Sequence, residues 1–265
     1  MWGRARWCAS VLLPAVLACT EINTDPQAVV SVSIDVATPS VVAGDTLRDT
    51  LGVVQPLLGM AYNYRGVVIS GYPIKYRVIG PGLRVDSLTG IVVADTPSAI
   101  AVRVLADAGG LQTQPLGLFV VPQPYQIVGV TPAGLIVGET VADTVGYSVR
   151  DTTHVISPAL NVRVLPQDTL TTTVPINGYL VSYAIQFQHA ADTLWAQLVS
   201  PSGQRTLVDT TGGSGVAGAA VLLRPLYFPT RVDSDSVVVL ATVRYRGMPV
   251  MGSPVRFVVQ IKPGL

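Results

Sequence analysis

The sequence predicts an all-β chain: two tandem β-sandwiches behind an N-terminal export segment. Three observations carry this prediction. The residue vocabulary is that of strands and turns, the hydrophobic period is two, and four short blocks recur in the same order in both halves.

The vocabulary comes first. Of the 265 residues, 49% are hydrophobic and only 12% charged, which supplies ample core and argues against a disordered chain. Val, Thr, Gly and Pro dominate, while Glu occurs only at 21 and 139 and Lys only at 75 and 262. Helix formers other than Ala and Leu are therefore scarce, and β-branched residues are abundant. The net charge is +1, and residues 27–122 carry six basic and six acidic side chains. Residues 123–265 carry nine and eight, so no basic stripe exists to neutralise phosphates and nucleic acid is not an expected partner.

The period is the second observation. In Ile74-Lys75-Tyr76-Arg77-Val78 apolar residues alternate with charged ones, and Val239 to Arg246 settles into the same rhythm after an apolar start. Such alternation suits a strand with one face buried and one in water. Gly-containing turns separate these runs at the spacing of a β-sandwich.

The repeat is the third. Thr38-Pro39 leading to Gly44-Asp45-Thr46 is echoed by Thr131-Pro132 leading to Gly138-Glu139-Thr140. The segment Gly71-Tyr72 through Tyr76 to Val78 is echoed by Gly178-Tyr179 through Tyr183 to Ile185. Val85-Asp86-Ser87-Leu88-Thr89-Gly90 matches Val208-Asp209-Thr210-Thr211-Gly212, and Phe119-Val120-Val121 matches Phe257-Val258-Val259. Four matches in register indicate a duplicated domain. The expected units are a sandwich over 28–122 and a longer one over 123–265, separate and meeting with few contacts at Pro122-Gln123-Pro124.

Ahead of these units, residues 1–18 read as a signal peptide. Arg4 and Arg6 precede a mostly apolar run from Trp7 to Ala18, too short to span a bilayer. Residues 19–27 then form a tether. Cys8 and Cys19 are the only cysteines, so the mature domains are expected to hold together without a disulfide.

Val16-Leu17-Ala18-Cys19 resembles the lipobox of bacterial lipoproteins. The resemblance implies acylation of Cys19, attachment to a membrane through that lipid, and outer-membrane sorting, since Thr20 rather than Asp follows the cysteine. An ordinary secretory signal with a chance cysteine is the alternative. The strand and turn blocks, with Ser31 to Asp35 and Val208 to Ala217, are similar to bacterial immunoglobulin-like (Big-type, intimin/invasin-like) domains. That resemblance implies two tandem immunoglobulin-like sandwiches serving as spacer, adhesion module or binding platform, facing the periplasm or the cell surface.

Candidate chemistry is sparse. Gly213 to Gly218 fits G-x-G-x-x-G, but lies among strands and reads as a turn, so no cofactor is expected. His154 and His189 stand far apart, with only Asp192 near the second, which makes no metal site. Asp233-Ser234-Asp235-Ser236 lacks the ligands of a calcium loop. The Asp-Thr pairs at 45, 49, 95, 143, 151, 168, 192 and 209 read as turn caps preceding strands. No serine sits in an activated setting, so no catalytic residue is expected.

The candidate binding residues are Tyr62, Tyr64, Arg65 and Tyr72, because Tyr and Arg recur at interface hot spots. The plainer alternative places Tyr62 and Tyr64 beside a hairpin with one ring in the core. The sequence thus points to a non-enzymatic, lipid-anchored envelope protein with a protein or surface-polymer partner. A structural subunit docked on the periplasmic face of a membrane complex is the second reading.

Overall fold

The computed structural model describes residues 25–130, 136–137, 140–147, 155–167, 175–188, 196–223 and 235–263. The proposed signal peptide, Cys19, His154, His189, Asp192 and Asp233 lie outside them.

The alternating runs become strands with the expected faces. In Lys75–Ile79 the Tyr76 ring is buried while Lys75 and Arg77 face water. No helix occurs among the described residues. The first half contains β1 (Ser31–Asp35), β2 (Ser40–Val42), β3 (Leu58–Tyr62), β4 (Lys75–Ile79) and β5 (Leu83–Val85). It continues through β6 (Val92–Ala94), β7 (Val102–Ala108), β8 (Leu111–Gln112) and β9 (Leu116–Val121). The second half begins with β10 (Pro124–Val130), β11 (Ile136–Val137), β12 (Thr140–Tyr147), β13 (Val155–Ile156), β14 (Leu160–Pro166) and β15 (Leu180–Gln188). Next come β16 (Ala196–Val199), β17 (Val208–Thr210), β18 (Val216–Leu223) and β19 (Asp235–Thr242). The chain closes with β20 (Arg244–Tyr245), β21 (Met248–Pro249) and β22 (Val255–Pro263).

The two halves share one sheet plan. In the first, a sheet of order β2-β9-β7-β4 faces the β1-β3 and β5-β6 pairs across a core that includes Val41, Leu47, Tyr76, Val104 and Leu118. In the second, β12-β22-β19-β15-β17 faces a sheet containing β10-β14-β18, with β16 on β18. Its core includes Ile127, Val162, Val221, Val239 and Phe257. Each half runs its last strand parallel to an early one, β2 with β9 and β12 with β22, while the remaining ladders are antiparallel. Two facing sheets in this arrangement are the immunoglobulin-like sandwich.

Three of the four sequence blocks fall on equivalent places. Tyr76 pairs with Ala106 and Tyr183 with Ala241, each on the first strand of its block and against the penultimate long strand. Both tyrosines are buried, and their amides donate to Ser87 and Leu207, at or just before the third block. Phe119 and Phe257 lie on the two closing strands. The first block does not keep its place. The parallel pair is made by Ser40–Val42, before Gly44, in the first half, but by Thr140–Tyr147, after Gly138, in the second.

Candidate functional site

Among the described residues the one buried charged group, Asp45, lies where the halves join. The loop after β2 turns at Gly44, whose φ is +75°, and delivers Asp45 to the joint with only 5% of its surface exposed. Its carboxylate caps the turn by accepting from the Thr46 amide at 2.8 Å. It also accepts from Arg48 Nε at 3.2 Å to each oxygen and from Arg48 Nη2 at 3.1 Å. Arg48 Nη1 donates onward to the Gly52 carbonyl at 2.8 Å, which ties down the 49–52 loop.

The remaining partner comes from 201 positions away. Arg246 Nε donates to Asp45 Oδ2 at 2.8 Å. β20 and β21 are joined by the two residues Arg246 and Gly247, with φ +49° and +81°, the signature of a type I′ hairpin turn. Positive φ is costly for arginine, and a strained residue of this kind is usually held in place by its surroundings. Here the guanidinium sits 5.3 Å from the Tyr245 ring centre and on the Asp45 carboxylate.

Electrostatics and packing agree. Burial alone would raise the Asp45 carboxyl, but hydrogen bonds from Arg246, Arg48 and the Thr46 amide outweigh it and hold the group well below the usual carboxylate range. Burial pushes the Tyr179 hydroxyl up, with the neighbouring Tyr245 and Asp45 adding to the effect; it donates to the Arg244 carbonyl at 2.7 Å. The two backbones come close enough that a Cβ on Gly52 would overlap the Gly247 nitrogen. Apolar contacts complete the joint: Val42 and Val121 of the first half sit in the second core, and a Cβ on Gly178 would meet Phe119 at 3.0 Å. No strand ladder crosses from one half to the other among the described residues.

The cleft at this joint is lined by Asp45, Arg48, Tyr179, Arg244, Tyr245 and Arg246, among others, and offers about 50 Å³ to water. A small-molecule site needs ~300–1,000 Å³, so the cleft is a seam between parts. Among the described residues no three His, Cys, Asp or Glu side chains gather into a metal-holding group.

The sequence-selected residues occupy the opposite end of the first sandwich. Tyr62 ends β3, is half-buried, and shares a hydrogen bond with Ser33 Oγ at 3.2 Å. Tyr64 and Arg65 form the turn beyond it, with the Arg65 guanidinium 5.2 Å from the Tyr64 ring centre. Tyr72 reaches the β7-β8 turn, where its hydroxyl would lie 2.9 Å from a Cβ on Gly109. That turn and the 63–66 turn lie at the same end, because a Cβ on Gly109 would meet Val29 at 3.3 Å while the next residue, Val30, donates its amide to the Tyr62 carbonyl. The four residues thus share one tip of the sandwich. No ring of the three lies in the first core, which takes Tyr76 instead.

Sequence reading grouped Asp45 with the turn-capping Asp-Thr pairs, and its bond to Thr46 is such a cap. Asp49 caps in the same way, accepting from the Leu51 and Val53 amides at 2.9 Å. What the reading missed is the pair of arginines on Asp45. Arg48, three positions on, was visible as a partner, whereas nothing local marks Arg246. The Gly213 to Gly215 stretch is a turn that runs into β18, with no helix after it.

No family model and no curated protein sequence matches the chain. Among solved structures it is similar to domains 4 and 5 of the S-layer protein SbsC, at 13% identity and a TM-score of 0.30, covering 88% of this chain and 98% of that one. It is likewise similar to the Escherichia coli adhesin FdeC, at 14% identity and a TM-score of 0.30, covering 86% and 63%. The Yersinia pseudotuberculosis adhesin InvE matches at 9% identity and a TM-score of 0.30, covering 87% and 58%. Likenesses this distant say nothing about activity, and the fold assignment rests on the strands and ladders above.

Proposed function

We propose that the chain is a non-enzymatic envelope protein, attached to a membrane through an acylated Cys19, whose two immunoglobulin-like sandwiches form a stiff arm carrying a binding surface. The observation that carries this reading is the joint. A proline-containing linker alone would leave the halves free to swing, whereas the Asp45–Arg48–Arg246 network and the seating of Val42 and Val121 in the second core oppose that motion. An enzyme gains little from such a device at a seam with so little room, while a spacer depends on it. The Val-Leu-Ala-Cys sequence supplies the anchor in this reading.

Two measurements on the full-length chain, expressed in a Gram-negative host, test the proposal. Labelled palmitate should be incorporated by the wild type, and Cys19→Ser should lose the label and be either released from the membrane or left unprocessed. Spin labels at Leu88→Cys and Leu207→Cys, both well exposed, should give one narrow distance distribution by double electron–electron resonance. A broad distribution would remove the stiff-arm reading. A defined assembly that co-purifies in mild detergent would instead favour a docked structural subunit.

A further inference from the structure

We infer that the tyrosine tip of the first sandwich is a lipid-facing surface, which lays this end of the arm against the phospholipid headgroups of the membrane that carries it. The inference rests on the anchored reading above and adds to it a partner for Tyr62, Tyr64, Arg65 and Tyr72.

Chain geometry comes first. The described structure begins at Asp25, and Val30 donates its amide to the Tyr62 carbonyl at 2.9 Å, so the chain enters the sandwich at this tip. Six peptide steps separate Cys19 from Asp25, and a fully extended chain spans at most ~3.6 Å per residue, so ~20 Å is the limit of the tether. An acyl chain on Cys19 would therefore hold this end within reach of the headgroups. The joint, at the other end of the sandwich, would point away.

The chemistry of the tip suits that neighbour. Three of the first half's four tyrosines are here, and tyrosine has an apolar ring with a polar end that favours the membrane–water boundary. Val67 and Val68 are 56% and 46% exposed on the hairpin beside them. Arg65 stands exposed at the turn, stacked against Tyr64, with Lys75 exposed at the tip end of β4. Cations among aromatic and apolar groups match a layer of phosphates above acyl chains.

The test uses the full-length acylated protein reconstituted into vesicles of phosphatidylethanolamine and phosphatidylglycerol. A nitrobenzoxadiazole label is placed either at Val67→Cys in the tip or at Ile100→Cys, which is 79% exposed at the joint end of the same sandwich. The label at 67 should shift to the blue and be quenched by lipids with brominated acyl chains, while the label at 100 should do neither. A vesicle-bound protein whose label at 67 behaves like that at 100 overturns the inference. So does a blue shift at 67 that appears without lipid and grows with protein concentration, because a second copy then covers the tip.

A second arm separates this inference from the anchor. The mature chain from residue 19 onward, carrying Cys19→Ser and made without residues 1–18, should float weakly with the same vesicles, and Tyr64→Ser with Arg65→Ser should reduce that several-fold. If the wild type takes up no palmitate, the anchor reading fails and the unacylated arm alone judges the tip. Absence of any flotation there overturns it.

Discussion

The two ends of the first sandwich are built from the same kinds of residue and put them to opposite uses. At the joint an acidic group is buried and shared by two arginines, one from each half, and glycines at 52 and 247 let the backbones close on each other. At the tip, Arg65 has no carboxylate among its described contacts and only a tyrosine face for company. The tyrosines divide in the same way. Tyr179 is held by the Arg244 carbonyl inside the joint, whereas Tyr64 lies half-buried in a turn. The contrast teaches that position relative to the second half decides which Tyr and Arg residues are structural and which are left over for binding.

Disruption should therefore be severe at the joint and slight at the tip. The largest effect is expected from Gly52→Val. The residue has φ +86° and no space for a Cβ, so the substitution combines backbone strain with a clash against the Gly247 nitrogen. A loss of ~3 kcal/mol or more in stability is expected, read as a lowered unfolding midpoint together with a broadened inter-half distance. An unchanged midpoint would mean that the joint contributes nothing.

Asp45→Ala ranks next. Removing one member of a fully buried ion pair typically costs ~3–5 kcal/mol. Arg246 is half-exposed and can turn its guanidinium to water, so about 2 kcal/mol is the expected loss here. Chemical unfolding of the two proteins side by side measures it.

Acid should reproduce part of that loss without mutation. The Asp45 carboxyl is held below its ordinary value in the folded protein. A lowered carboxylate value stabilises the fold at pH above the unfolded value of ~3.9, and that stabilisation is lost as pH falls below it toward the folded value. The stability difference between wild type and Asp45→Asn should then be level above about pH 5 and shrink from about pH 4 downward. A difference that grew on acidification would contradict the ionised, arginine-held carboxylate.

How much of this was legible in the sequence depended on how local the determinant is. Strand identity was legible, since alternation over Ile74 to Val78 is a property of adjacent residues and Tyr76 does face the core. The equivalence of Tyr76 and Tyr183 was legible too, yet their hydroxyls diverge: Tyr76 accepts from the Gly59 amide at 2.8 Å, while the buried Tyr183 oxygen has no hydrogen-bond partner among the described residues. That difference is set by what packs across the sandwich, which no repeat alignment contains. The shifted first block was hidden for a related reason, because strand pairing is chosen by the whole ladder and not by the Gly-acid-Thr turn alone. Arg246 on Asp45 was the least visible of all, being a contact over 201 positions with no pattern at either end.

The smallest effect is expected at the tip, and it sharpens the comparison because it follows from what holds the hairpin. Asn63, itself buried, accepts from the Arg65 amide at 3.0 Å and the Val67 amide at 3.1 Å, and it donates to the Pro26 carbonyl at 3.2 Å. Gly66 takes the left-handed position, with φ +73°, that the turn requires. The turn is thus fixed by Asn63 and Gly66, and the side chains of Tyr64 and Arg65 add no hydrogen bond to it among the described residues. Tyr64→Ser with Arg65→Ser should accordingly change stability by no more than ~0.5 kcal/mol, with the inter-half distance unchanged. Asn63→Ala, which strands two turn amides and loosens the 25–30 segment, should cost ~1–2 kcal/mol. Thermal unfolding of the three proteins decides the matter. If the Tyr64 and Arg65 substitutions prove as costly as Asn63→Ala, these two residues are part of the scaffold, and the division between a structural joint and a free tip fails.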